Sequence, residues 1–129
     1  MEIKTSQDKG KVPVTVFKLK GNLTSEVELQ EQAKAAYQAG TRHILLDLSD
    51  VPYTSSAGLR ALHYMFSLFR TTSDETDQQM RSGITAGTYI SPHLKLYKPN
   101  THVTEVLKTA GYDMFLQIHT DYKKAIASF

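Results

Sequence analysis

Two spacings of apolar residues alternate along the chain, one of period two and one of three to four. Residues 2–8 and 12–20 read as strands about a turn at Asp8-Lys9-Gly10-Lys11. In the second, Val12, Val14 and Val16 alternate with Pro13, Thr15, Phe17 and Leu19, so both faces are partly apolar, as in an interior strand with proline at its first positions. Thr24 or Ser25 is placed to cap a helix with Glu26 and Glu28 in its first turn; Leu29, Ala33, Ala36 and Tyr37 form its stripe, and Gly40 stops it. Ile44 to Leu48 is a nearly continuous apolar run of strand length, expected to be buried on both faces and broken by Asp50 and Pro52. Ser55 and Ser56 then stand where a second helix begins.

That second helix is unusually apolar. At about 100° per residue, Leu59, Leu62, Phe66 and Phe69 make the stripe expected against a sheet. Met65 lies on its edge, Ala61, Tyr64 and Leu68 extend it, and only Arg60, His63, Ser67 and Arg70 remain as a polar arc. One sheet contact does not need so wide a surface, so the surplus is expected under other parts of the chain or against a partner. Thr71 to Ser91 is polar, with Asp74, Glu75 and Asp77 against a single basic Arg81, and reads as a long mobile segment at 71–91 in which only Ile84 to Ile90 invites order. Leu94 to Tyr97 is a strand ended by Pro99. Asn100 or Thr101 caps a helix with Val103, Val106, Leu107 and Ala110 inward, and Gly111 closes it. Phe115, Leu116 and Ile118 suggest a short last strand, and Asp121 to Phe129 a small helix facing inward with Tyr122, Ala125, Ile126 and Phe129.

The pattern predicts one α/β domain over 1–129: a mixed sheet of four or five strands with about four helices, mainly on one face. With 129 residues and 40% hydrophobic content, a real core is within reach. The absence of cysteine removes disulfides and thiolate metal sites, and the 15 basic and 13 acidic residues are well mixed, which leaves no nucleic-acid footprint. Neither a signal-peptide apolar region nor a run near the ~20 residues of a membrane span is present, so a cytoplasmic domain without membrane insertion is expected.

Chemistry narrows the functions further. His43, His63, His93, His102 and His119 have no metal-ligand spacing and read as surface or loop residues. No phosphate loop, dinucleotide fingerprint or nucleophile elbow occurs, so neither catalysis nor a cofactor is expected. Asp47 suits the strand's end, bonding backbone amides, and Asp50 suits the turn. What stands out is Ser55-Ser56 at a helix start. A serine there can simply cap, or it can carry a phosphoryl group of about −1.5 to −2 charges beside free N–H groups.

Asp47-Leu48-Ser49, Val51, Tyr53 and Ser55-Ser56-Ala57-Gly58-Leu59-Arg60 together resemble the signature of the anti-sigma factor antagonist family, the STAS domain. In that family the motif is commonly Asp-Ser-Ser/Thr-Gly-Leu, and its first serine is phosphorylated. Matching Gly58-Leu59 to the motif's Gly-Leu puts Ser56 on that serine, Ala57 at the Ser/Thr position and Ser55 where the aspartate usually stands. The Gly21-Asn22-Leu23 turn and the run from Asn100 through Val106-Leu107 to Gly111-Tyr112 are also similar to the family. The resemblance implies a STAS-like sheet, in which a short connection usually follows the second helix, so that 71–91 is a mobile insertion, and an anti-sigma factor antagonist acting by partner switching. Its partners would be an anti-sigma factor or serine kinase of the histidine-kinase-like ATPase type, bound when Ser56 is unmodified, and a serine phosphatase. The implied contact surface is Tyr53, Thr54, Ser55, Ser56, Ala57, Gly58, Arg60, Tyr64 and Leu68, with Gly58 allowing close approach of the kinase backbone. A constitutive, never-phosphorylated interaction module and a small-ligand-binding regulatory domain are the alternatives. The serine in the aspartate's place favours the first of these.

Overall fold

The computed structural model describes residues 1–70 and 90–129. Strand β1 (Glu2–Lys9) runs antiparallel to β2 (Pro13–Lys20), with Pro13 opposite Lys9 at the turn. From β2 onward the neighbours are parallel: β3 (Ile44–Asp50), β4 (Leu94–Tyr97) and β5 (Gln117–His119) complete a five-stranded sheet in the order β1-β2-β3-β4-β5. Parallel neighbours need crossovers, and helices supply them. Helix α1 (Val27–Gln38) joins β2 to β3, α2 (Ser56–Arg70) leaves β3, and α3 (Thr101–Thr109) with a short 3-10 turn at Tyr112–Met114 joins β4 to β5. Helix α4 (Tyr122–Ala127) closes the described chain. No helix among the described residues is long and apolar enough to cross a membrane.

The front face of the sheet carries the main core. Phe17, Leu19, Ile44, Leu46, Leu48, Leu94 and Leu96 meet Leu29 and Ala33 of α1, Leu62, Met65 and Phe69 of α2, and Val103 and Leu107 of α3. On the back, α4 lays Ala125 and Ile126 over Val14, Val16 and Leu45. Thus β3 is buried on both faces from Ile44 to Leu48, as its continuous apolar run requires. Gly40 and Gly111 adopt φ of +101° and +80°, the left-handed geometry that ends α1 and α3.

Several local expectations are corrected. β3 continues to Asp50, which pairs with Lys20 and accepts from the Gly21 amide at 3.0 Å, so Asp50 ends the strand from inside it. Neither Thr24 nor Ser25 caps α1. Glu26 occupies the cap position in helical geometry with no side-chain cap, its carboxylate being turned to Gln30 and Arg60 instead. The buried arc of α2 is rotated from the expected stripe: Ala61 and Met65 are fully buried, while Leu59 is only half-buried. Packing against both the sheet and α1 explains the width, with Phe69 edge-on to Tyr37 at 5.8 Å. Ala110 is exposed, and Phe115 and Leu116 lie just ahead of β5. The expected mobile insertion falls almost entirely outside the described residues. Ser91, at its end, is buried: its amide donates to the Phe115 carbonyl at 2.9 Å and its hydroxyl accepts from the Leu94 amide at 3.1 Å.

Candidate functional site

Residues Val51 to Ser55 link β3 to α2 and are tied to the Gly21–Leu23 loop. The Leu23 amide donates to the Tyr53 carbonyl at 2.9 Å, and the Ser55 amide to the Leu23 carbonyl at 3.0 Å. Thr54 is buried at 3% exposure and its hydroxyl also donates to the Leu23 carbonyl, at 3.4 Å. Gly58 lies directly beneath. A Cβ built on it would fall 2.5 Å from the Leu23 carbonyl oxygen and against the Thr54 hydroxyl. The close approach that glycine permits here is therefore to the chain itself, where the sequence suggested a kinase backbone.

The two serines divide two roles. Ser55 is the cap: its hydroxyl accepts from the Gly58 amide at 3.4 Å and its carbonyl from the Leu59 amide at 3.1 Å. Ser56 is the first residue of α2, exposed, and among the described residues its hydroxyl makes no hydrogen bond. Along the helix, Ser56, Arg60 and His63 form the exposed ridge, and Ala57, Tyr64 and Leu68 lie half-buried on one flank. Arg60 bridges to α1, its Nε 3.3 Å from Glu26 Oε1. Tyr53 is 44% exposed and stacks on the His102 ring of α3 at 5.7 Å. Of the nine contact residues that the sequence suggested, Thr54 and Gly58 are buried supports. Tyr53, Ser56 and Arg60 face solvent, and Ser55, Ala57, Tyr64 and Leu68 sit between.

Among the described residues no carboxylate bonds Ser55 or Ser56. Asp47, 8% exposed, accepts from the Ser49 amide at 2.9 Å and the Ser49 hydroxyl at 2.7 Å, and Asp50 lies 3.6 Å from Lys18. Among the described residues no group of three or more His, Asp or Glu side chains is placed to hold a metal. An open crevice of about 600 Å³ lies beside the loop at the strand ends, lined by Lys20, Ser49, Asp50, Pro52 and Asn100. The site's chemistry among the described residues is thus an unbonded hydroxyl at a helix start, with no base beside it to activate it.

The perturbed ionisable groups lie mostly at the back face and strand starts, and the sequence did not reveal them. Lys95 is buried, and its ammonium donates to the Ser128 carbonyl at 2.8 Å and hydroxyl at 2.9 Å; burial lowers its pKa. The His43 ring packs 5.2 Å from His93 and 5.9 Å from Phe129, so these are packed groups and not plain surface ones. Burial, then His93 and Lys95, hold the His43 pKa below its usual value; burial and Lys95 do the same for His119. Burial, with the nearby Asp8 it bonds at 2.6 Å, pushes the Tyr122 hydroxyl up to about 12. On the front, Tyr112 donates to the Leu59 carbonyl at 2.8 Å and braces the start of α2. Asn100 caps α3 as expected, but its second bond, from Nδ2 to the Pro52 carbonyl at 3.2 Å, was missed, as was the Glu26–Arg60 bridge. No local sequence signal marks such long-range bonds.

Comparison with known proteins agrees with this arrangement. The sequence pattern of the STAS domain matches residues 5–74. No curated protein matches the chain in sequence. The unphosphorylated form of the anti-sigma factor antagonist SpoIIAA superposes with a TM-score of 0.63 at 10% identity, covering 95% of this chain and 92% of that one. The phosphorylated form of SpoIIAA, the Bacillus cell fate determinant, gives 0.62 at 11% identity over 95% and 96%. A candidate anti-sigma factor antagonist of Thermotoga maritima gives 0.64 at 18% identity over 95% and 91%. At such identities the likeness concerns the fold. Fold and sequence pattern together carry the assignment: the chain belongs to the STAS domain family.

Proposed function

We propose that this protein is a cytoplasmic anti-sigma factor antagonist that works by partner switching, with Ser56 as the switch. Unmodified, the ridge begun by Ser56 docks on an anti-sigma factor or related serine kinase of the histidine-kinase-like ATPase type, which then releases its sigma factor. The kinase would transfer the γ-phosphoryl group of ATP to the Ser56 oxygen, with the hydroxyl proton passing to the kinase's base and ADP leaving. A serine phosphatase would hydrolyse the ester and restore the hydroxyl. The reading assigns no catalysis and no cofactor to the chain itself.

The observation that carries it is the division between Ser55, which caps α2, and Ser56, which is exposed and whose hydroxyl makes no hydrogen bond among the described residues. A hydroxyl needed for the fold could not be modified without cost to the fold; this one can. A dianion placed there in a tight interface would have to be desolvated with no partner charge supplied by the docked protein. A coupling of only ~3 kcal/mol changes affinity about 150-fold. Phosphosite mapping of the protein isolated from its native host tests the reading. Phosphate on Ser56 is expected, and its absence under all growth conditions would leave a constitutive binding module.

A further inference from the structure

The Arg60–Glu26 ion pair stands one helical turn from Ser56, and the two anions Arg60 can reach differ in when they are present. In the unmodified protein Arg60 Nε lies 3.3 Å from Glu26 Oε1, with the two side chains 59% and 37% exposed, so the bridge is at the surface and free to exchange. Glu26 holds its place without Arg60, because its other oxygen accepts from Gln30 Nε2 at 3.4 Å and its backbone starts α1. Ser56 and Arg60 are four residues apart on the exposed ridge of one helix, a spacing that brings side chains into contact. The anion would stand N-terminal to the cation, the better orientation for such a pair.

We infer that a phosphoryl group on Ser56 takes Arg60 from Glu26, so that modification breaks the surface bridge between α1 and α2 and leaves the Glu26 carboxylate without its cation. This rests on the reading of Ser56 as the modified residue and adds how the mark is read. A phosphoserine carries up to two charges and three acceptor oxygens, against one charge on Glu26, and forms stronger hydrogen bonds to a guanidinium. The exchange changes the docking face at two points. Arg60 is withdrawn from any acidic group of the partner, and a new negative charge opens beside Val27, which is 57% exposed at the start of α1. The switch would thereby act over two helices and not only at the modified oxygen.

The test uses the full chain with phosphoserine installed at position 56 by codon reassignment, so that no kinase is needed. The second ionisation of the phosphate, ordinarily near pH 6, is followed by phosphorus NMR at low salt. Arg60→Gln is expected to raise it by about 0.3 unit, and Glu26→Gln to lower it by a similar amount by removing the competitor for Arg60. Simple repulsion by Glu26 would act with or without Arg60, whereas exchange requires it. The Glu26→Gln shift should therefore largely vanish in the Arg60→Gln background. An unchanged titration in Arg60→Gln, or equal Glu26→Gln shifts in both backgrounds, would overturn the exchange. Failure to find phosphate on Ser56 in the native host would instead count against the proposed function, while these titrations would still report the exchange.

Discussion

Helices α2 and α3 both begin just beyond the carboxyl end of a parallel strand, yet they spend their first polar residues differently. At α3, Asn100 is fully committed: Oδ1 accepts from the Val103 amide at 2.7 Å, and Nδ2 donates to the Val51 and Pro52 carbonyls at 3.4 and 3.2 Å. At α2, Ser55 makes a long cap bond of 3.4 Å and Ser56 makes none among the described residues. The order of the α2 start comes instead from below, where Gly58 seats against Leu23 and Thr54. Cap geometry explains why this works. The capping oxygen belongs to the residue before the helix, so the residue after it can be left free. One helix start is structural throughout, and the other has a structural base with a spare hydroxyl on top.

The contrast can be broken at its base. Gly58→Ala places a methyl group 2.5 Å from a backbone oxygen, and an unfolding free energy lower by about 3 kcal/mol is expected in urea titration. A loss under about 1 kcal/mol would mean that the seat yields and does not define the α2 start. Removing the committed cap comes next: Asn100→Ala should cost about 1.5 kcal/mol, and Asn100→Asp less, because it keeps the acceptor and loses only the amide donor.

A conditional effect follows, away from both helix starts. His43 and His119 have pKa values held below the usual histidine value by burial and by Lys95. Their folded-state pKa is the lower one, so the unfolded chain binds the extra protons. Stability is therefore fully present above about pH 6.5 and lost as pH falls through that value toward the folded pKa. The double variant His43→Gln with His119→Gln should flatten this acid loss in urea titrations at neutral and mildly acid pH. An unchanged slope would place the acid-sensitive groups elsewhere. The smallest effects sharpen the serine contrast. Ser55→Ala should cost about 0.5 kcal/mol, and Ser56→Ala should stay within about 0.5 kcal/mol of neutral. A Ser56→Ala loss as large as that of Asn100→Ala would make Ser56 a structural residue.

Much of this was legible because it is local. The continuous run Ile44–Leu48, the stop at Gly111 and the alternation in β2 each report a burial pattern that their own residues dictate. The motif from Ser55 to Arg60 pointed to the right helix start, but spacing alone could not say which serine caps. That depends on where the chain leaves β3, and β3 runs on to Asp50. The start of α1 was misjudged because Glu26 takes the cap position while its carboxylate faces Arg60, thirty-four residues away. Lys95 was invisible for the same kind of reason. It alternates properly within β4, and only the fold sets Ser128 over its ammonium. The width of the α2 apolar surface was correctly seen, but Ala61 and Met65 are covered by the chain itself, which leaves Tyr64 and Leu68 as its half-open flank.

The most direct test of Ser56 as the switch is a quantitative pull-down from native-host extract with three baits: the wild-type chain, Ser56→Ala, and the chain with phosphoserine at position 56. Bound proteins are identified by mass spectrometry. A histidine-kinase-like ATPase held by the first two baits and lost from the third is the predicted result. Equal retention of the same partner on all three baits would contradict the switch and leave the ridge as a constitutive binding surface.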